Sequence, residues 1–274
     1  MPKFIIFVMT VALECQRGQV LERAAGLTFR ILLAFFPFLI FLMALMGFLD
    51  INQEAILEGL YSVLPGDIAI LVANFVYELG DIRSAGVLST ALFFSVYNSS
   101  NGFRAIVRIT NQAYGTAETR GIIAQVAISF ALMLLFSATI IIMLALLIFE
   151  RQIWALFFPR LPELVHMLAS GAIALVMLMF VTVVIFKLST LAKVHLVDIL
   201  PGAALTVVAW TVVSHAFGFA ISNFTQYPAV YGSIAGVFVL ILWLNIICAV
   251  LLVCNEINAL LWDLRRTKKP VSNV

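Results

Sequence analysis

The feature that most constrains the fold is the run from Ile199 to Asn255, which contains no Asp, Glu, Lys or Arg. As a single helix this run would be about 85 Å long, whereas the hydrocarbon core of a bilayer is about 30 Å thick. The sequence NFTQYP (Asn223–Pro228) interrupts it with residues that favour turns. The run therefore predicts two membrane crossings, with ends near residues 200, 222, 231 and 262.

Further apolar segments of membrane-spanning length precede this run. The whole chain is 64% hydrophobic and 11% charged, whereas soluble domains carry about 25% charged residues. We therefore predict an all-α, polytopic membrane protein with six transmembrane helices, folded as one membrane domain over residues 1–274. The first four crossings are predicted at Ile31–Leu49, Ser84–Phe103, Gly121–Phe149 and Leu164–Phe186.

The basic residues predict the orientation of the chain. Of the 16 Lys and Arg residues, only Arg83, Arg151 and Arg160 fall on the side opposite the termini. Since positive charge concentrates on the cytoplasmic side, both termini are predicted to be cytoplasmic. Residues 1–26 are predicted as a cytoplasmic or interfacial helix, and residues 263–274 as a cytoplasmic tail. The net charge of +2 does not favour nucleic acid as a partner.

The segment 50–84, between the first two crossings, is predicted to form two amphipathic helices on the outer side. Its second half repeats apolar residues at helical spacing, from Ile68 to Leu79, after the interrupting sequence LPG (Leu64–Gly66). The segment also carries several acidic residues. Two interpretations stay open: a solvated acidic surface above the outer leaflet, or a lid over a pathway that opens outward.

A polar stripe follows the second crossing without a break, in the sequence YNSSNGFRAIVRITNQAY (Tyr97–Tyr114). Its polar residues Asn101, Arg104, Arg108 and Asn111 recur at i, i+3, i+7 and i+10, which places them on one helical face. At 1.5 Å per residue, Arg104 lies about 30 Å from the outer end, at the inner membrane boundary. The stripe is therefore predicted to be the inner end of a membrane helix.

A carboxylate is predicted at the same depth on the sixth crossing. Glu256 lies about 38 Å from the start of that helix, between Asn255 and Asn258. An acidic residue at the membrane boundary requires a basic partner. We therefore predict that Glu256 lies within about 4–6 Å of Arg104 or Arg108.

Two interpretations of these polar residues stay open. In the first, the basic residues are topology anchors and the amides bond neighbouring helices to one another. In the second, they line a cytoplasm-facing cavity that receives an anionic group. The candidate ligand-binding or transport residues in that case are Arg30, Asn98, Asn101, Arg104, Arg108, Asn111 and Glu256.

The sequence favours neither an enzyme nor a cofactor protein. Its three cysteines form no disulfide or metal-ligand pattern. Its three histidines lie far apart in the chain, and most of its acids are on the predicted outer side. Expected partners are membrane lipids and an anionic solute or lipid, and a homo-oligomer is left open.

Three blocks of the chain resemble the YihY/BrkB family of bacterial inner-membrane proteins. They are AGLTFRILLAFFPFLIF (Ala25–Phe41), the block around Tyr97–Tyr114 with ETRG (Glu118–Gly121) after it, and a long C-terminal block within Pro201–Leu260. Cys254 and Asn255 stand where the family typically has a pair of small residues. Arg30 stands where the family often has a second aromatic residue. The resemblance implies a six-span protein of the inner membrane. Members are usually described as transporters, and the family has long carried the name ribonuclease BN.

Three functions are therefore to be weighed. The favoured one is a transporter or flippase of an anionic or amphipathic solute. The alternative is a structural or scaffold partner in envelope assembly. The inherited ribonuclease name is disfavoured, because metal-dependent phosphoryl transfer needs clustered carboxylates or histidines that the sequence does not predict.

Overall fold

The protein is represented by a computed structural model, which describes residues 2–48, 85–148, 163–223 and 234–267, together with single positions between 54 and 77. Within these ranges the chain forms helices joined by turns, with no strand, so the all-α prediction is confirmed. The long helices are α1 (Pro2–Arg17), α2 (Val20–Phe48), α3 (Ala85–Ala113), α4 (Ile122–Ile148), α5 (Glu163–Ser189), α6 (Leu196–Asn223) and α7 (Ile234–Thr267).

Five of these helices, α2 and α4 to α7, are long and apolar enough to cross a membrane. Helices α4 and α5 cover the third and fourth predicted crossings, and α6 and α7 divide the uncharged run into two. The turn predicted between α6 and α7 lies outside the described residues, except for Asn223. The described part of the chain is therefore that of a multi-pass membrane protein.

Helix α3 corresponds to the second predicted crossing but differs from the other five. With 29 residues it is about 44 Å long, which is enough to span the hydrocarbon core. It is not among the five because the polar residues from Asn98 onward lower its hydropathy. The length of α3 therefore permits a sixth crossing, whereas its composition distinguishes it from the five apolar helices by its polar residues.

The long helices α2 to α7 pack in a ring of contacts. Each packs against the next in the chain, and α7 returns to pack against α2. Helix α3 also contacts α5 and α7 across the ring. Side chains tie the start of α4 to the end of α5 and the start of α6 to the end of α7, through the bonds Arg120–Leu188 and Arg265–Asp198. We call this end of the bundle, with its many Arg and Lys residues, the basic end.

Close contacts and buried polar bonds hold α2, α3, α6 and α7 together. A Cβ added at Gly102 of α3 would lie only 3.1 Å from the side chain of Ala34 on α2. The indole of Trp210 donates to the carbonyl of Ile247 at 2.9 Å, which joins α6 to α7. In lipid there is no hydrophobic driving force for association between helices. Close packing of small residues and side-chain hydrogen bonds hold membrane helices together instead.

The N-terminal region differs from the prediction of one helix over residues 1–26. Helix α1 ends at Arg17, and α2 begins at Val20 and runs without a break into the first crossing. Gln19 has φ of 48°, a left-handed conformation that ends a helix. The neighbouring Gly18 approaches Glu256 of α7 so closely that an added Cβ would lie 3.3 Å from its Oε1. The break therefore brings the α1–α2 junction against α7.

The outer segment and the C-terminal tail are described only in part. The described positions between 54 and 77 are helical, and Ala69, Val72, Ala73 and Val76 are buried at i, i+3, i+4 and i+7. Val72, Ala73 and Val76 pack with Leu39 of α2 and with the first half of α7. The other residues of the two predicted amphipathic helices lie outside the described residues. Helix α7 continues to Thr267, so the predicted tail from residue 263 begins inside a helix.

Candidate functional site

The polar stripe on α3 is organised around Arg104. Its guanidinium donates a hydrogen bond to Oδ1 of Asn101 and lies 5.9 Å from the centroid of the Tyr97 ring. The spacing of Tyr97, Asn101 and Arg104 places all three on one face, as predicted. Asn98 donates instead to the carbonyl of Phe94 at 2.9 Å, within its own helix. The stripe therefore presents one positioned cation rather than a row of free polar groups.

Arg104 differs from the arginines that this fold uses for support, because no carboxylate pairs with it among the described residues. A guanidinium has five N–H donors, and the contacts above engage Arg104 only through Asn101 and the Tyr97 ring. Elsewhere in the described ranges, arginines are joined to acids in three ion pairs: Arg17–Glu14, Arg120–Glu118 and Arg265–Asp198.

An apolar groove between α3 and α4 has Arg104 as its one charged residue. Its volume is about 220 Å³, and exposed Phe93, Tyr97 and Phe130 open it to the surface of the bundle. Ser100, one turn before Arg104, also lines it and is only 5% exposed. The Ser100 hydroxyl has no hydrogen-bond partner among the residues that the structure describes. The groove thus combines apolar walls with two polar groups close together.

Asn111 does not share this site, although the helical spacing placed it on the same face. It is 1% exposed, and its Nδ2 donates to Oε2 of Glu118 at 2.7 Å. Its Oδ1 accepts from the N–H of Leu191 at 2.7 Å and from the Thr116 hydroxyl at 3.2 Å. The chain turns after α3, with Gly115 at φ 62°, and this turn brings Glu118 back onto Asn111. Asn111 therefore joins the α3–α4 turn to the end of α5.

Arg120 completes the same connection. Glu118 forms an ion pair with Arg120. The guanidinium of Arg120 also donates to the carbonyls of Leu188 and Thr190, at 3.3 and 3.2 Å. A cation at a helix C-terminus stabilises the carbonyl groups that have no partner within the helix. We call Asn111, Glu118 and Arg120 the turn staple. It accounts structurally for much of the ETRG sequence.

Glu256 lies on another side of the basic end, and its predicted pairing with Arg104 or Arg108 is wrong. The charged groups that act on the Glu256 carboxyl are Arg23 at the start of α2 and Glu14 near the end of α1. Equal depth in the bundle does not fix direction: Arg104 lines the groove toward α4, whereas Glu256 lies against the α1–α2 junction. Sequence reasoning missed Arg23 as its neighbour because it did not predict the helix break at Gly18 and Gln19.

The cavity lined jointly by Arg30, Arg104 and Arg108 stays a prediction, because the groove between α3 and α4 contains only one of these residues. Of these three, only Arg104 lines the groove, whereas the side chains of Arg30 and Arg108 are exposed. Long basic side chains in such positions extend toward the membrane surface. Asn98 and Asn101 are half-buried, and of the two only Asn101 contacts Arg104. The structure therefore brings Asn101 and Arg104 together and leaves Arg30 and Arg108 apart from the groove.

A second group of polar side chains lies inside the basic end, where α3, α6 and α7 meet. Asn255 and Asn258 are fully buried on one face of α7. The Nδ2 of Asn255 donates to the carbonyl of Thr110 at 3.4 Å, and Oδ1 of Asn258 accepts from the N–H of Gly202 at 2.7 Å. Within the described ranges, the other amide atom of each asparagine has no hydrogen-bond partner. These amides hold α7 to α3 and α6 and keep unused hydrogen-bonding capacity.

Tyr114 belongs to this second group. Its ring packs edge-on against Trp262 at 5.8 Å, and no described residue forms a hydrogen bond with its hydroxyl. Burial raises the pKa of Tyr114, and the negative charges of Asp198 and Glu256 raise it further. The phenol is therefore neutral at physiological pH and can donate or accept. We call Tyr114, Asn255 and Asn258 the amide–tyrosine cluster.

Asp198 was not predicted as a site residue, although the sequence carried a signal for it. It lies in the first turn of α6, where its Oδ2 accepts from the N–H of His195 at 3.1 Å. A carboxylate in this position is a common N-terminal cap. Its other oxygen pairs with Arg265 of α7 at 2.5 Å. In the described part of the chain, no three His, Cys, Asp or Glu residues are grouped so as to hold a metal ion.

The fold and the polar residues described above define the class of the protein. The class is a multi-pass helical membrane protein with a polar face on one of its long helices. The family model for the virulence factor BrkB matches residues 11–273, so the chain belongs to the BrkB family.

Two relatives are similar to this chain over different lengths. One from Bacillus subtilis, which bears the name of a ribonuclease-like protein, YfkH, is 31% identical over 257 residues, covering 92% of this chain and 93% of the relative. A UPF0761 membrane protein of Tolumonas auensis is 37% identical over 68 residues, 24% of this chain and 22% of the relative. No solved structure matches the chain.

Proposed function

We propose that the protein is a transporter or flippase that moves an anionic or amphipathic solute across the membrane. The observation that carries this proposal is Arg104, a cation in a membrane bundle that faces a groove without an acidic partner. Arg104 lies at the predicted membrane boundary, but its side chain is part-buried and faces the groove, and an ionisable residue in such a position is a candidate substrate contact. The donors that Asn101 leaves free suit a phosphate or a carboxylate.

The amide–tyrosine cluster supports the same proposal. A structural cluster gains most when its buried polar atoms bond one another, because each unpaired group costs about 1–3 kcal/mol. Here the hydroxyl of Tyr114, Oδ1 of Asn255 and Nδ2 of Asn258 all lack a partner in the part of the chain that the structure describes. Such atoms suit water or a passing solute better than they suit a dry helix contact. They favour a carrier over a protein that serves only as a scaffold.

The orientation of the protein is part of the proposal. We propose that the chain crosses a bacterial inner membrane six times, with both termini in the cytoplasm. The six crossings are the five apolar helices and α3, which is the second crossing in chain order. The basic end of the bundle, which holds Arg104, then faces the cytoplasm, and segment 50–84 faces outward. The distribution of Lys and Arg residues supports this orientation.

Cysteine labelling tests the orientation. With Cys15 replaced by serine, because that thiol is only partly buried, single cysteines are introduced at Asn52 and Ser272. An impermeant maleimide added to intact cells is expected to label the cysteine at 52 and to leave the one at 272 unlabelled until the cells are permeabilised. Labelling of 272 but not of 52 in intact cells would reverse the proposed orientation.

Replacing Arg104 by lysine tests the carrier function. The variant Arg104→Lys keeps the positive charge but loses the planar fork that holds an oxyanion at two points. Loss of one charge-assisted hydrogen bond, about 1.5–3 kcal/mol, predicts at least a tenfold slower transfer. The measurement is transfer of fluorescently labelled phosphatidylglycerol, and separately of the soluble anion calcein, in proteoliposomes.

The matched control is Arg108→Lys, one turn further along α3, where the side chain is exposed and outside the groove. This variant is expected to transfer at the wild-type rate. If wild-type protein moves neither probe, or if Arg104→Lys transfers as fast as Arg108→Lys, then Arg104 is a topology anchor. The scaffold function would then be the better account.

A further inference from the structure

The length of the α3–α4 groove matches one leaflet of a bilayer. Phe93 and Arg104 are 11 residues apart on α3, a rise of about 16 Å. This is about half of the hydrocarbon thickness. With Arg104 at the membrane boundary, the apolar end at Phe93 reaches the middle of the bilayer. The groove thus runs the length of one acyl layer.

The opening of the groove indicates from which side an occupant enters. Phe93, Tyr97 and Phe130 are among its walls and are also exposed on the outside of the bundle, at 71%, 59% and 38%. In a membrane this surface faces acyl chains. A molecule already dissolved in the leaflet can therefore enter the groove from the side.

The apolar walls do not select the occupant. A lipid tail is as apolar as the side chains it meets, so moving it from bulk lipid into the groove gains little. Selection must therefore come from the polar groups. These are the guanidinium of Arg104 and the hydroxyl of Ser100, one helical turn apart on the same face.

Ser100 is the second, independent observation. Its hydroxyl is buried, lines the groove and has no partner among the described side chains and backbone, although buried hydroxyls in folded proteins are nearly always hydrogen-bonded. A phosphate oxygen next to Arg104 would accept a bond from Ser100 as well. The Tyr97 ring under the guanidinium holds it in position for that contact.

We propose that the α3–α4 groove binds one phospholipid with an anionic head group, with its phosphate on Arg104 and Ser100 and an acyl chain along Phe93 and Phe130. The proposal rests on the proposed function, since it names the substrate class of the Arg104 site. It also stands as a binding site whether or not transfer follows.

Native mass spectrometry of the full chain tests this site. The protein is titrated in detergent with phosphatidylglycerol or with phosphatidylcholine of the same chain length. Wild-type protein is expected to retain one phosphatidylglycerol at least tenfold better than phosphatidylcholine, since only the former has a net negative charge. Ser100→Ala and Arg104→Lys are each expected to lower phosphatidylglycerol retention about tenfold, the factor for one lost charge-assisted bond.

One variant serves as a matched control. Ser137→Ala removes a buried hydroxyl on α4 that is already bonded to the carbonyl of Met133 and lies outside the groove, so it should leave lipid retention unchanged. Because the Ser100 hydroxyl has no partner to lose, Ser100→Ala is expected to fold normally, and its melting temperature is measured alongside.

The outcomes separate this site from the proposed function. Equal retention of the two lipids, or wild-type retention by both Ser100→Ala and Arg104→Lys, would overturn the lipid site. Displacement of the lipid by millimolar inorganic phosphate would also overturn it, because the site would then belong to a free anion. Selective retention without transfer in proteoliposomes would uphold the site and reject the carrier. Transfer that depends on Arg104, without selective retention of phosphatidylglycerol, would uphold the carrier and reject the lipid site.

Discussion

Replacing Asn111 by alanine is expected to lower the free energy of unfolding by about 2–4 kcal/mol, one of the two largest effects predicted for a single substitution in this chain. The variant removes bonds to Glu118, Leu191 and Thr116 at once. It leaves the Glu118 carboxylate and the Leu191 N–H half-buried without their amide partner. The measurement is thermal or denaturant unfolding of the purified protein in detergent.

The neighbouring residue supplies the control for this prediction. Gln112 is exposed, so Gln112→Ala is expected to change stability by no more than about 0.5 kcal/mol. A variant Asn111→Ala that is as stable as Gln112→Ala but deficient in transfer would contradict the structural role. Asn111 would then be a ligand residue, as its position in the polar stripe had indicated.

Replacing Gly202 by alanine is expected to destabilise the contact between α6 and α7 by about 2–4 kcal/mol. A Cβ at position 202 would overlap the amide group of Asn258, which is fully buried. The overlap also displaces the bond from the Gly202 N–H to Oδ1 of Asn258. Two unfavourable effects therefore act at one position, and the unfolding measurement above detects them.

A glycine in the same helix gives the comparison. Nothing lies within 4 Å of a Cβ added at Gly218, so Gly218→Ala should be neutral or stabilising by up to about 1 kcal/mol. Adding Asn258→Ala to Gly202→Ala removes the overlap, so the double variant should be less destabilised than the sum of the singles by about 1–3 kcal/mol. Equal stability of the two glycine variants, or strict additivity, would refute the close contact.

Much of the fold could be predicted because a bilayer allows few structures for an apolar segment. Charge-free runs of sufficient length must be helical in lipid, where every backbone group needs an internal partner. The bounds of α4 and α5 and the division of Ile199–Asn255 into α6 and α7 follow from that rule. The unusual polarity of α3 was also visible in the sequence.

The directions of side chains at the basic end could not be predicted in the same way. Helical spacing put Arg104 and Asn111 on one face, but a turn after the helix supplied Asn111 with the partner Glu118. Depth matched Glu256 to Arg104, but the break before α2 placed Arg23 next to Glu256 instead. Both errors arise because a partner came from a short connection whose path the sequence pattern does not specify.

The polar residues at the basic end therefore divide by their contacts. The turn staple and the Asp198–Arg265 pair have partners within the chain, and they account for the joining of helices. Arg104, Ser100 and the amide–tyrosine cluster keep donors or acceptors free. The proposed carrier function depends on this second set alone, which makes it separable from stability by mutation.

A density map of the protein in nanodiscs that contain phosphatidylglycerol tests the central claim most directly. The account predicts a lipid between α3 and α4, with its phosphate within hydrogen-bonding distance, about 2.7–3.2 Å, of the Arg104 guanidinium and the Ser100 hydroxyl. A map in which Arg104 pairs with a carboxylate of the chain, or in which the Ser100 hydroxyl bonds a helix carbonyl and no phosphate lies in the groove, would contradict it.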